Sequence, residues 1–326
     1  ALVTMALDWT KLTIFLLTSA VFGASATSAT AQNNESARIQ HQRLSSGEPD
    51  LQGVWDFRTL TPLQRPSEFA GRAALTTEEA AAYETRTNSD RDNYDVSRNP
   101  SVHAKFWLDN GRNLQPDLRT SLIIDPSDGR IPTLTASGQR RAEARSALRR
   151  IAPRSHLDRS ITERCMVGFN AGPPMNPGAY NNNVLILQVP GYVILHNEMV
   201  HEVRVVPMDG RKHLPSKIRQ IRGDSRGHWD GITLVIETTH FRDDTTFAGS
   251  GEHMQLTERF SRTAENRLLY EYTIVDQDSF VQPWTVAVEM QKTDQPMFEF
   301  ACHEGNYGLQ NILVNARAAD DNPAER

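Results

Sequence analysis

The sequence predicts a mainly β protein, an antiparallel meander closed as a lipocalin-like barrel or folded as a sandwich, with an irregular and partly helical N-terminal wrap. Three observations carry this expectation. From Val184 onward, short runs rich in β-branched, aromatic and aliphatic residues follow one another closely. Tight-turn chemistry separates them, with Asp230-Gly231 and Glu265-Asn266 serving as two-residue loops. Only two stretches, both ending by residue 150, read as helices.

Composition bounds the rest. A chain of 326 residues allows one large domain or two small ones, and 38% apolar residues suffice for a core, which argues against disorder throughout. A net charge of −5 and an isoelectric point near 6.1 argue against a nucleic-acid partner, which needs a basic footprint. No stretch after the N-terminus reaches the roughly 20 apolar residues that span a bilayer, so no integral membrane segment is expected once a signal is removed.

Residues 1–31 read as a signal peptide, with Met5 as a plausible initiator. Lys11 precedes an apolar run from Leu12 to Ala24, and Ala29-Thr30-Ala31 makes a cleavage site before Gln32. That predicts a periplasmic or secreted protein. Residues 32–50 are rich in Gln, Asn, Ser and charge, and read as a flexible leader. A wrap follows over 51–160, a β-rich, barrel-forming region over 161–314 and a polar tail over 315–326.

Within the wrap, Gly53 to Phe57 is the first strand, and Thr77 to Arg86 a short Ala/Glu helix. Thr120 to Asp125 is a second strand, closed by Pro126-Ser-Asp-Gly129. Thr135 to Arg150 reads as a helix carrying Arg140, Arg141, Arg145, Arg149 and Arg150. Such a run meets phosphates in some proteins and forms a solvated face in most. The β-rich region divides into strands at 184–188, 192–196, 200–206, 225–229, 232–239, 254–262, 267–275, 284–292 and 297–303. The two cysteines, Cys165 and Cys302, form a disulfide if the protein enters an oxidising compartment.

Gly53-Val-Trp55 is similar to the Gly-x-Trp that opens lipocalin-type barrels. A wider set of motifs runs from Glu163 to Tyr307: Glu163-Arg-Cys, Gly172-Pro-Pro, Tyr180-Asn-Asn-Asn183, Asn197-Glu-Met-Val-His201, Gly223-Asp-Ser-Arg-Gly227, Glu237-Thr-Thr-His-Phe241 and Ala301-Cys-His-Glu-Gly-Asn-Tyr307. Together they resemble a large group of uncharacterised exported proteins from soil and aquatic bacteria, with lipocalin-like β-barrel character. The resemblance implies export and fold, and it carries no activity.

Seven of the ten histidines lie between His196 and His303, many beside a carboxylate: His196, His201, His213, His228, His240, His253 and His303. Histidine titrates near neutrality, so it serves as acid, base or metal ligand. The densest patch is His196-Asn-Glu198-Met-Val-His201-Glu202-Val-Arg204. It lacks the His-Glu-x-x-His spacing of helical zinc proteases and reads as a hairpin. There His196 and His201 face each other with Glu198 at the tip, as an acid–base pair, as two weak metal ligands, or as an ordinary polar hairpin. A second patch is Glu299 to Tyr307, where a Cys165–Cys302 bridge would draw Glu163 and Arg164 towards His303 and Glu304. It reads equally as a salt-bridged chain end.

Tyr180, Asn182 and Asn183 follow a loop stiffened by three prolines. They offer donors and acceptors to a ligand, or form a polar turn. Asp224 either orients a histidine or fixes Arg226 against an anionic substrate. Gly223-Asp-Ser-Arg-Gly227 matches the string of a nucleophile elbow but leads into a strand, whereas that elbow needs a strand-to-helix turn. Neither a phosphate loop nor a dinucleotide fingerprint is present, and no Cys-x-x-Cys, so no cofactor is expected.

The expectation for function is a cofactor-independent lyase, isomerase or hydrolase acting on a small, partly apolar molecule in a barrel cavity. His201 or His303 is the base and Glu198 or Glu304 its acid or orienting partner. Tyr180, Asn182, Asn183, Arg204, Arg226 and Tyr307 are the binding side chains. The alternative is a periplasmic lipocalin-like binding or carrier protein without turnover, and beyond it a structural envelope protein. Trp55, Trp229, Trp284, Phe260, Tyr270, Tyr272 and Phe300 either line the cavity or fill it.

Overall fold

A computed structural model describes residues 43–93, 108–244 and 247–321. The signal peptide and most of the leader lie outside the described residues. The described residues divide into two units, the smaller containing residues 43–50 with the β8 end at 263–265 and the larger containing the others. In the smaller, residues 43–50 make a closed turn, with an Arg43↔Pro49 bridge and Leu44 N–H donating to the Glu48 carbonyl at 2.9 Å.

The larger unit is built on a ten-stranded antiparallel sheet. Its strands are β1 (Gly53–Asp56), β2 (Ile123–Asp125), β3 (Asn183–Val189), β4 (Tyr192–Asn197), β5 (Val203–Pro207), β6 (Asp224–Asp230), β7 (Thr233–Thr239), β8 (Gln255–Ala264), β9 (Arg267–Val275) and β10 (Trp284–Thr293). The order is β5-β4-β3-β1-β10-β9-β8-β7-β6, and β2 also pairs with β10. The meander is therefore as expected, with one insertion: β1, from the wrap, lies between β3 and β10 and joins the two halves of the sheet.

No hydrogen-bonded ladder joins β5 to β6, so the sheet is not a closed barrel. Its two ends meet through side chains instead. A Cβ added at Gly227 on β6 would lie 2.4 Å from Met208 Sδ and 3.0 Å from Val206 Cγ1. A larger residue there would push aside Met208 and crowd Val206.

Strict alternation builds the interior. On β9, Leu268, Tyr270, Tyr272 and Ile274 are buried while their neighbours are partly open. On β8 the inward set is Leu256, Glu258, Phe260 and Arg262, two charges among apolar residues. Trp55, Phe260, Tyr270, Tyr272 and Trp284 are all fully buried in one apolar cluster, with Phe260 and Tyr270 at 4.8 Å and Tyr270 and Tyr272 at 5.6 Å between ring centroids. These aromatics pack together as part of the apolar core. Trp229 packs at the margin of that cluster, and Phe300 belongs to a separate one with Ala171, Met199 and Tyr180.

Three α-helices occur among the described residues. α1 (Thr77–Asp92) starts at the expected residue, with Thr76 and Glu79 forming a capping box, and it extends beyond Arg86. α2 (Ala136–Arg150) is capped by the Thr135 hydroxyl. α3 (Tyr307–Asp321) crosses the boundary drawn at 314, so the start of the polar tail is helical. Its Arg317 guanidinium donates to the carbonyls of Pro153 (2.6 Å) and Arg154 (2.8 Å).

One expected strand is absent. Residues 297–301 are assigned to no strand, and turns follow from Cys302, so the strand expected at 297–303 does not form. The expected strand at 200–206 begins only at Val203, because a 3-10 turn (Met199–His201) precedes it. No helix among the described residues is long and apolar enough to cross a membrane.

Candidate functional site

Cys165 and Cys302 are disulfide-bonded, their Cα atoms 5.7 Å apart, and the bridge fastens the segment after β10 to the 160–166 turns. Asn306 Nδ2 donates to the Glu163 carbonyl at 2.9 Å beside it. The charged side chains do not gather there. Glu163 turns to Ser160 and Arg159, Arg164 to Asp244, and both His303 and Glu304 are exposed. Tyr307, at the start of α3, is 69% exposed.

Glu198 is buried rather than at an open hairpin tip. Its Oε2 accepts from Asn183 Nδ2 (2.9 Å) and its Oε1 from the Phe298 N–H (3.0 Å), so the carboxylate ties the segment around Phe298 to β3. His196 pairs in register with Leu185 and Val203, not with His201, because the 3-10 turn shifts the hairpin. The His201 side chain lies outside the described residues. Glu202 is buried, contacts Arg222 and accepts from the Gly168 N–H, so it is not the partner of Arg204.

Asn182 is buried with its amide fully used. Oδ1 accepts from Gly178 N–H (2.7 Å) and Asn170 Nδ2 (3.0 Å), while Nδ2 donates to the carbonyls of Gly178 (3.0 Å) and Asp109 (3.1 Å). Tyr180 packs between Phe169 and Phe300. Arg204 crosses the interior to Glu258 on β8, with Nη2 to Oε1 at 2.9 Å, and Tyr270 donates to the same oxygen at 2.8 Å. Burial lowers the affinity of Arg204 for its proton, but Glu258 more than restores it. Most of the sequence-selected polar side chains are thus internal fastenings.

The open concavity lies elsewhere, between the end of α2, the 157–163 turns, the 167–174 loop and Asp243-Asp244. Its volume is about 740 Å³, within the range of small-molecule pockets. Three large apolar side chains face it while substantially exposed: Leu148 at 53%, Leu157 at 69% and Phe169 at 45%. The carboxylates around it are engaged. Asp158 accepts from the Arg154 N–H (2.8 Å) and Ser155 N–H (3.0 Å), which hold its carboxyl below the usual range. Asp243 meets Arg145 at 3.2 Å, and Asp244 meets Arg242 at 2.7 Å. Burial lowers the proton affinity of Arg145, only partly offset by Asp243. Arg159 pairs with Glu163 through Nη2, but its Nε is buried without a hydrogen-bond partner among the described residues.

A different group of residues converges at the open end of the β6–β7 hairpin. Asp224 pairs with Thr239 in register, which sets His240 beside it, and the loop after β5 carries His213 to the same point. One ligand-capable atom from each of the three lies within 4.8 Å of the others, and they are the only such metal-competent group among the described residues. His213 Nδ1 stands 2.9 Å from Asp224 Oδ2, which also accepts from the Leu214 N–H at 2.9 Å. Arg226 Nη1 donates to Oδ1 at 2.6 Å and is itself braced on the Lys212 carbonyl. Burial raises the Asp224 carboxyl, and the bonds from Leu214, His213 and Arg226 outweigh it, leaving it below the ordinary range.

The pairing of Asp224 with Arg226 and with a histidine was legible in the sequence, but the neighbouring His228 is exposed on its strand. His213 and His240 carried no spacing signal, since they come from two loops flanking the hairpin. A general histidine excess in the β-rich region was the only hint. Compared with protein-family models, with curated proteins and with solved structures, the chain matches none of them.

Proposed function

We propose that this is an exported binding protein, periplasmic or secreted, that holds a small, partly apolar molecule without turnover in the cleft beside α2, with a lipocalin-like sheet as scaffold. The observation that carries the reading is the gathering of Leu148, Leu157 and Phe169, all substantially exposed, around one cavity of about 740 Å³. Exposed apolar side chains are ordinary when scattered and informative when they share a concavity. Arg159 lines the same cleft and carries guanidinium N–H donors beyond the one it gives to Glu163, which suits an acceptor oxygen on the molecule. The packed aromatic core favours this outer cleft over a barrel lumen.

The acid–base alternative, a lyase, isomerase or hydrolase, has less support. Glu198 is committed to two donors, and His303 and Glu304 are exposed and do not line this cleft.

The test uses 8-anilinonaphthalene-1-sulfonate, an apolar probe with one anionic group. The wild-type protein should enhance its fluorescence saturably. Leu157→Glu, which alters an exposed side chain, should weaken binding at least about tenfold, as about 1.4 kcal/mol of lost contact and added repulsion requires. Arg159→Leu should also weaken it. Equal binding by wild type and both variants would remove the cleft as the site.

A further inference from the structure

We propose that His213, Asp224 and His240 form a binding site for a divalent first-row transition ion, distinct from the cleft. Two imidazoles and one carboxylate are a ligand set suited to zinc or iron(II) and poorly suited to calcium or magnesium, which prefer all-oxygen shells. Water or a ligand oxygen would complete the coordination.

Three features beyond proximity support the assignment. First, His240 Nδ1 is buried and has no hydrogen-bond partner among the described residues. A buried imidazole nitrogen without a partner costs free energy unless something occupies it. Second, His240 holds a left-handed backbone, with φ at 57°, a region uncommon for non-glycine residues, though histidine enters it more readily than most. The fold enforces it, because the His240 carbonyl accepts from the Gln220 N–H at 2.9 Å and Gln220 bridges Phe241. Strain of this kind persists where the surroundings over-determine the position of a side chain.

Third, the carboxylate is held by outer partners in the way ligating carboxylates are. Arg226 takes Oδ1 and the Leu214 N–H takes Oδ2, so Asp224 is oriented before any ion arrives. The rings of His213 and His240 lie 5.9 Å apart and nearly perpendicular, at 88°, which presents two nitrogens from different directions. The 2.9 Å between His213 Nδ1 and Asp224 Oδ2 matches about the spacing of adjacent ligands around a six-coordinate ion with bonds near 2.1 Å. Arg226 already neutralises Asp224, so the imidazoles must provide most of the attraction. This is a further reason to expect a transition ion.

The experiment takes the purified protein without a histidine tag, strips it with EDTA, and titrates it with Zn²⁺ by calorimetry and with Co²⁺ by visible absorption. One equivalent should bind, with a Co²⁺ spectrum characteristic of nitrogen and oxygen ligands. His213→Ala should weaken Zn²⁺ binding at least about tenfold to a hundredfold, the loss that even outer partners of metal ligands produce. His240→Asn should do the same, and asparagine tolerates the left-handed backbone, so that variant separates ligand loss from misfolding. His228→Ala, at an exposed position outside the group, should bind as wild type does. Circular dichroism of each metal-free variant checks that the fold is kept. Zn²⁺ affinity unchanged in folded His213→Ala and His240→Asn, or lost equally in His228→Ala, would overturn the proposal, as would no binding at all by the wild type.

Discussion

Arg204 on β5 and Glu258 on β8 meet across the sheet-lined interior, with Nη2 donating to Oε1 at 2.9 Å and both residues buried. Tyr270 donates to the same carboxylate and accepts from the Met175 N–H at 3.0 Å, so one chain of hydrogen bonds links β5, β8, β9 and the 170–176 loop. Strands that share no ladder are thereby held at a fixed separation. The pair is expensive to bury and more expensive to break, since either partner alone is an uncompensated charge. Arg204→Met is expected to lower stability by about 3–5 kcal/mol. Combining it with Glu258→Gln, which keeps an acceptor for Tyr270, should recover a substantial part of that loss. Urea denaturation of the two single variants and the double variant measures the coupling, and strict additivity would contradict it.

Tyr270 and Tyr272 are fully buried, and burial holds both phenols well above their usual proton affinity. Below about pH 10 each is protonated in both folded and unfolded chains, and the bonds they make are fully present. Above it the unfolded chain releases protons that the folded chain keeps, so stability falls as pH rises, by about 1.4 kcal/mol per pH unit for each tyrosine. The Tyr272 hydroxyl is buried without a hydrogen-bond partner among the described residues. Tyr272→Phe should therefore be neutral or stabilising, by up to about 1 kcal/mol, and should reduce the alkaline slope. Denaturation midpoints between pH 8 and 11 test both claims, and an unchanged slope in the variant would refute the second.

Asn182 makes four hydrogen bonds with its amide inside the fold. Asn182→Ala should cost about 2–3 kcal/mol by leaving buried donors and acceptors unpaired. Probe binding per folded molecule should be unaltered. A stable variant that loses probe binding would return Asn182 to the ligand.

The Cys165–Cys302 bridge closes a long loop, with 137 residues of sequence separation. Replacing both cysteines by serine is expected to cost up to about 5 kcal/mol in the chain-entropy account, with smaller losses common. Intact mass before and after reduction, differing by two hydrogens, confirms the link, and thermal unfolding of the variant gives its contribution.

What the sequence determined by itself was local. Runs of β-branched, aromatic and aliphatic residues between turn signals marked β3, β4 and β6 to β10 to within a few residues, whereas the strict alternation of buried residues on β9 emerges only in the fold, since Leu269 is as apolar as its buried neighbours. The hairpin at Asp230-Gly231 and the helix ending at Arg150 were legible for the same reason: the residues that make them are neighbours in the chain. The disulfide followed from there being two cysteines and an expectation of export.

Tertiary structure decided everything that depends on which distant segments meet. Glu198 and Asn182 looked available in the sequence, because polar residues in turns usually face solvent. The fold buries them and consumes their bonding capacity. The insertion of β1 between β3 and β10 sets the sheet order, and no local pattern encodes a long-range pairing. His213, Asp224 and His240 come from a loop, a strand end and a strained turn. Their directions are fixed only when the sheet has curled and the Gln220–His240 hydrogen bond has formed. A side chain's neighbours across the chain are a property of packing, which sequence spacing does not carry.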